Sequence, residues 1–181
     1  LNLILSIATF AMLFFSCKPS IDEVNRLMQL TEEPIGIAEN MHLKYTDSGL
    51  LKVTLLSPLM KDFSNKAFPF TEFPEGVEVE FYQYDDSLVK KTRVLADYAI
   101  RYEENQLVDL RQNVRVETHD GQIFLGDQLF WSPAQRWIFT DVPYTLVRAD
   151  SSKNRGVRFD ADEEFKKILS RKDTIVQFVE D

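Results

Sequence analysis

The chain has 181 residues, with 21 Lys or Arg against 29 Asp or Glu, giving a formal charge of −8 and a pI near 4.9. That balance excludes a general polyanion binder, nucleic acid included. Hydrophobic residues at 44% with only 6 Gly exclude a disordered or collagen-like chain, and the single Cys excludes a disulfide framework. Behind a short leader, roughly 165 residues remain, enough for one domain that buries about two-thirds of its unfolded surface.

Residues 1–15 are almost wholly apolar and uncharged, and Ser16 and Cys17 follow at once. A run of about fifteen is short for a spanning helix, which takes about twenty, but suits the core of an export signal. The ending FFSC is similar to a bacterial lipobox. In that reading the peptide is cut before Cys17, whose thiol takes a diacylglycerol and whose new amino group is acylated, so that two or three chains anchor the protein stably. An uncleaved anchor helix and a merely buried Cys are the alternatives. The expected organisation is therefore 1–16 as signal peptide or membrane anchor, 17–40 as tether and 41–181 as the folded domain. Within the tether, Val24, Leu27 and Met28 share one side of a helix-compatible stretch. Three apolar positions suit a docked amphipathic helix as well as a free tether.

From about Met41 the pattern becomes short segments alternating at period two, including Val77-Val79-Phe81, Val94-Ala96-Tyr98-Ile100-Tyr102 and Val114-Val116. These read as strands. Turn signals separate them at intervals of about ten residues: Asp47-Ser48-Gly49, Pro74-Glu75-Gly76, Glu103-Glu104-Asn105, Asp120-Gly121, Ser132-Pro133 and residues 151–156. Asp120-Gly121 is the firmest hairpin signal. No helical pattern intervenes, so the expected fold is all-β, an antiparallel sandwich, roll or barrel, with no parallel βαβ sheet.

An internal repeat sharpens this. Val94-Leu95-Ala96-Asp97-Tyr98-Ala99-Ile100 returns as Phe124-Leu125-Gly126-Asp127-Gln128-Leu129-Phe130 and again as Phe159-Asp160-Ala161-Asp162-Glu163-Glu164-Phe165, in the frame apolar, any, small, Asp, any, any, apolar. By period two, the leading apolar residue, the small residue and the closing apolar residue share a face, and Asp97, Asp127 and Asp162 point the other way. Repeated hairpins that each expose one apolar face must stack to bury it, which predicts a layered, twisted β-roll. Its expected interior comprises Val94, Ala96, Tyr98, Ile100, Phe124, Gly126, Phe130, Phe159 and Ala161, with Val114, Val116, Tyr144 and Leu146 from intervening strands. Pattern alone suits a solid core first, and second a groove in which Ala96, Gly126 and Ala161 leave width for acyl chains.

Chemical motifs are nearly absent. There is no G-x-S-x-G, no phosphate-cradling Gly-rich loop and no C-x-x-C. His42 and His119 are the only histidines and lack acidic partners at metal-ligand spacing, so they read as surface or turn residues. The three repeated Asp read as structural at strand turns, not as a glycosidase pair. No catalytic residue, metal site or cofactor is expected.

The stretches LLSPLMKDFSN, FPFTEFPEGVEVEFY and LADYAIRYEENQLVDLRQNVRVETHDGQIFLGDQLFW resemble the LptC family of lipopolysaccharide-export periplasmic proteins, in the version found in Bacteroidetes-like bacteria. The resemblance runs from about Met41 to the C-terminus. It implies a twisted, open jelly roll that takes lipopolysaccharide from an inner-membrane ABC transporter and passes it, acyl chains inside, to the next roll of a periplasmic bridge. Energy would come from ATP hydrolysis on the transporter, so this chain would need no catalytic residue. Rolls would join by edge-strand pairing. Many relatives use a spanning helix, whereas the front of this chain reads better as a lipoprotein leader. The implied location is the periplasm, anchored to a membrane, most simply the inner one.

At the C-terminus, Ile175, Val176, Phe178 and Val179 are too apolar for a free tail and are flanked by charges that restrain promiscuous pairing. They read as an edge that docks the next bridge protein, or as a strand that completes the sheet. The competing function class is a structural or adhesive envelope lipoprotein with a solid β-sandwich and no lipid cargo.

Overall fold

Alternating β-branched and aromatic residues make strands, and what they build depends on where each strand bends. The computed structural model describes residues 33–85, 88–163, 165, 167–171 and 174–176. In chain order the strands are β1 (Gly36–Asp47), β2 (Leu50–Phe63), β3 (Phe70–Phe73), β4 (Val77–Asp85), β5 (Leu88–Ala96), β6 (Tyr98–Tyr102) and β7 (Val108–Glu117). They continue as β8 (Ile123–Ser132), β9 (Trp137–Thr140), β10 (Tyr144–Val147), β11 (Lys153–Gly156), β12 (Arg158–Asp162), β13 (Ile168–Arg171) and β14 (Thr174–Val176). All belong to one 14-stranded sheet whose pairings are antiparallel throughout. The leader, Cys17, the tether helix and the C-terminal Phe178 and Val179 lie outside the described residues.

The topology is a simple meander once short strands are joined end to end. β3 and β4 do not pair with each other; β3 pairs β2 and β6, while β4 pairs β2 and β5. They are two halves of one strand broken at residues 74–76. In the same way β5 continues into β6 across Asp97, β9 into β10 across residues 141–143, and β11 into β12 across Val157. The unbroken strands bend at matching positions. Asn40 of β1 has φ 51°, and in β7 Gln112 and Asn113 have φ 63° and 51° and form a bulge against β8. Such bulges sharpen twist and kink a strand. At this line the Asp97 N–H donates to the Gln112 carbonyl at 3.0 Å, and the Asn113 amide donates to the Asp97 carboxylate at 2.5 Å.

The bends align into a corner, so the sheet folds on itself as two wings. The first holds β4, β5, β10, β11 and β14, the second β3, β6, β9, β12 and β13, and β1, β2, β7 and β8 cross from one to the other. Along the first wing a single row of cross-strand partners runs Leu43, Leu55, Val79, Val94, Val116, Phe124 and Leu146. Opposing it, Phe73, Ala99, Leu110 and Leu129 line the second wing beside the corner. The apolar faces meet between the wings, as an all-β roll requires. Fully burying one Phe or Leu of this core contributes about 1.5–3 kcal/mol.

The turn expected at Pro74-Glu75-Gly76 is present, with the Gly76 N–H donating to the Phe73 carbonyl at 3.4 Å, and it makes the corner between β3 and β4. One expected turn is different in the structure. The turn expected over residues 151–156 ends at Ser151, whose N–H donates to the Arg148 carbonyl at 2.9 Å; Lys153–Gly156 is strand β11, held on both sides by β10 and β14. The sheet also starts at Gly36, inside the segment expected as tether.

Gly76 shows why the corner needs its residue types. Its φ is +91°, and a Cβ there would stand 2.8 Å from the Ala96 carbonyl oxygen. Gly76→Ala should therefore destabilise the domain by about 1–3 kcal/mol, seen as a lower urea midpoint at unchanged slope.

Candidate functional site

The interior of the roll differs from end to end. Around β8 to β12 it is closed. Phe124 and Phe159, each 0% exposed, sit with ring centroids 5.3 Å apart; Tyr144 stacks on Phe124 at 5.9 Å, and Phe165 adds a ring 5.7 Å from Phe159. Leu129, Leu146 and Ala161 fill the remaining space. Toward β1 the same interior face is open. Met41, Leu55, Met60, Val79, Val94 and Val108 pack against the core but keep exposed surface, and Leu43 and Tyr45 on the edge strand are 45% and 55% exposed.

The wall is also interrupted there. The β2–β4 ladder ends at Leu56 with Glu78, and the β2–β3 ladder resumes only at Lys61 with Glu72. The Ser57 hydroxyl crosses this gap to the Gly76 carbonyl at 2.8 Å. Beside it lies a cleft of about 580 Å³ whose floor includes Met41, Val77 and Ala96 and whose rim carries Asn40, Glu75 and Asp97. That volume lies within the range of small-molecule sites.

Between the open and closed parts, Phe81 of the first wing meets Trp131 of the second edge-on, with centroids 5.2 Å apart. The Trp131 indole N–H donates to Glu163 Oε1 at 2.8 Å, and Glu163 Oε2 accepts from Arg136 Nε at 3.1 Å.

The outer faces differ too. The outer face of the first wing carries a charged ladder, Glu78 with Arg93 and Glu80 with Lys91, each at 2.8 Å. Hydrogen bonding to Lys91 and Tyr82 holds the Glu80 carboxyl below its ordinary value, against a smaller opposing effect of burial. Exposed pairs of this kind add little to stability. The second wing is aromatic outside: Phe63 stacks on Phe70 at 4.7 Å and Phe130 on Phe139 at 5.0 Å. Between them Asp109 is 1% exposed, and it accepts from Arg111 Nε at 2.8 Å and from Gln128 Nε2 at 2.9 Å. Burial, with a hydrogen bond from its hydroxyl to Glu72, pushes the Tyr98 phenol above its ordinary value.

The expected interior residues fall into three groups. Val94 borders the open part, and Ala96 is buried in the core beneath the cleft at the corner. Val114, Val116, Phe124, Tyr144, Leu146, Phe159 and Ala161 lie in the closed core, and Gly126 is half-buried against Phe124. Tyr98, Ile100 and Phe130 are corrections. The corner shifts the alternation by one residue, so Ala99 and Leu129 turn inward, while Tyr98, Ile100 and Phe130 stand on the outer face. Asp97 and Asp127 are exposed at the corner, whereas Asp162 heads the β12–β13 turn and accepts the Lys167 N–H at 3.3 Å.

The residues of the open part that the repeat did not reveal are Met41, Leu43, Leu55, Met60, Val79 and Val108, with Phe81 and Trp131. The signal for Met41, Leu43, Leu55, Val79 and Phe81 was alternation in β1, β2 and β4, outside the repeated phrase; Val108 and Trp131 belong to β7 and β8. His42 and His119 are both exposed, and among the described residues no group of three His, Cys, Asp or Glu could hold a metal. No helix among them is long and apolar enough to cross a membrane.

An antiparallel meander creased into two wings, with an apolar interior closed at one end and open at the other, defines a β-roll protein of the jelly-roll type. The chain belongs to the LptC family: the family model described as lipopolysaccharide-assembly, LptC-related, matches residues 3–169. No curated protein matches it. Membership associates the chain with lipopolysaccharide transport and assembly, in a family that is periplasmic, membrane-associated and not enzymatic.

The closed core gives a direct test of packing. A Cβ on Gly126 would lie 3.2 Å from the Phe124 ring, which Tyr144 and Phe159 hold in place. Gly126→Leu should cost about 1–3 kcal/mol by overpacking, measured by denaturant unfolding.

Proposed function

We propose that this chain is the membrane-anchored periplasmic carrier of a lipopolysaccharide export bridge. It receives lipopolysaccharide from an inner-membrane ABC transporter and passes it to the next periplasmic β-roll, with the acyl chains held in the open part of its interior. The observation that carries this is the contrast between the two ends of one apolar interior: Phe124 and Phe159 are sealed, while Leu43, Leu55, Val79 and Val94 remain accessible beside the edge strand. Each acyl methylene withdrawn from water contributes about 0.8 kcal/mol, so even a partly housed chain is held without a polar anchor. A purely structural envelope lipoprotein would have the closed core throughout and would lack the open part.

The remaining parts of the proposal follow the chain. Residues 1–16 act as export signal or anchor, residues 17–40 lead from the membrane, and the roll carries the cargo. Cys17 is the lipid attachment point. The C-terminal edge, with Ile175 and Val176 on β14 and Phe178 and Val179 beyond it, docks the next roll; in support, β14 pairs with β11 alone among the described residues. No cofactor, metal or nucleic acid takes part.

Photo-crosslinking tests the cargo site in cells. Probes at Leu55 and Val94, on the interior face, should trap lipopolysaccharide, and a probe at Arg93, on the charged outer face, should not. Equal trapping at Val94 and Arg93, or none at either interior position, would overturn the acyl-chain reading. The anchor is tested separately: Cys17→Ala should abolish labelling by a palmitate analogue, and unchanged labelling would rule Cys17 out as the attachment point.

A further inference from the structure

Phe81 and Trp131 stand where the open part of the interior ends. Phe81 belongs to the interior face of β4, in register with Val53 and Thr92, and Trp131 to the interior face of β8, in register with Val108 and Ile138. Their edge-on contact joins the two wings across the side opposite the corner. On one side of it lie Leu55, Val79 and Val94, which keep exposed surface; on the other lie Leu129, Ile138 and Ala161, all buried. A chain moving from the β1 edge toward the β13 edge inside the roll meets this pair.

The indole is held by a surface latch, not by the core alone. Its N–H donates to Glu163 Oε1 at 2.8 Å. Glu163 lies in the β12–β13 turn and is tied to the β8–β9 turn twice: its Oε2 accepts from Arg136 Nε at 3.1 Å, and its N–H donates to the Arg136 carbonyl at 3.3 Å. The Glu163 side chain is 26% exposed and that of Arg136 66%. A cleft of about 320 Å³, lined by Gln135, Arg136, Trp137, Asp162, Glu163 and Lys167, adjoins it. The carboxylate thus has space and solvent to turn away without stranding a charge, which a buried ion pair would not allow.

We propose that Phe81 and Trp131 form a gate inside the roll, kept shut by the hydrogen bond from Trp131 to Glu163. Acyl chains load on the β1 side, and release of that bond lets the wings part at this pair, so that chains reach Ile168 along the side opposite the corner and not through the ring cluster of Phe124, Tyr144 and Phe159. The proposal rests on the acyl-chain reading of the interior and adds a control point to it. Glu163 and Arg136 are positioning residues, since they act through the indole.

The test uses the full chain in cells, with lipopolysaccharide as the trapped molecule and photo-crosslinking probes at Leu55, before the gate, and at Ile168, beyond it. The parent should trap strongly at Leu55 and weakly at Ile168. Glu163→Ala removes the acceptor, and Trp131→Phe removes the donor while retaining a ring against Phe81. Each should raise the ratio of Ile168 to Leu55 trapping at least threefold. Glu163→Gln keeps an acceptor oxygen and should stay near the parental ratio. Thermal melts of the variants establish that they fold. Trapping at Leu55 with an unchanged ratio in both Glu163→Ala and Trp131→Phe would overturn the gate and leave the acyl-chain reading standing. Trapping at neither position in any variant would overturn that reading, and the gate with it.

Discussion

Backbone hydrogen bonding couples each strand to its neighbours, so a strand can bend sharply only where the strands beside it bend too. In this protein the bends coincide at Asn40, residues 74–76, Asp97, Gln112–Asn113, residues 141–143 and Val157. Each site has its own local means: a left-handed Asn, a glycine at φ +91°, an Asp capped by the facing bulge, a proline-containing break. Together they crease one sheet into two wings. A flat sheet of these strands would expose an apolar face along its whole length, and the crease turns that face inward.

The crease also explains the unequal interior. Where β8 to β12 face one another, aromatic rings fill the space between the wings, and Phe124, Tyr144, Phe159 and Phe165 interlock. Along the first-wing row at β1 to β5 the side chains are aliphatic and shorter, Leu43, Leu55, Val79 and Val94, and Phe81 of that wing reaches Trp131 of the other. Closure thus follows side-chain volume along a single continuous row. The aromatic end supplies most of the burial and holds the wings at their angle; the aliphatic end is left free to accept something else. The proposed carrier function needs both, since a roll open throughout would lack a core.

Charge and aromatic character are divided between the outer faces. The ladder of Glu78, Arg93, Glu80 and Lys91 keeps the first wing soluble and discourages stray pairing, although each pair adds little stability. On the second wing Asp109 is buried among aromatic neighbours, and the Arg111 and Gln128 bonds offset the desolvation that such a carboxylate suffers. The polar groups outside are therefore matched locally. The interior face contributes shape and apolar surface, as cargo of acyl chains would require.

The sequence by itself determined the all-β class, the antiparallel meander and most of the apolar face, because period-two alternation and turn residues act within one strand or hairpin. It also carried the family, through the strings around Leu55, Phe81 and Asp97. Two things it did not contain locally. Tyr98, Ile100 and Phe130 follow the interior phase on paper, yet the corner at Asp97 and Asp127 shifts the count by one residue, and that corner is visible only when the bulge on the facing strand is known. Likewise, Phe124 and Leu55 look alike as alternating apolar positions, and only tertiary packing decides that one is sealed by two rings, Tyr144 and Phe159, while the other stays accessible. Alternation specifies which side of a strand is apolar; how much of that side is filled depends on the side chains that the opposite wing brings to it.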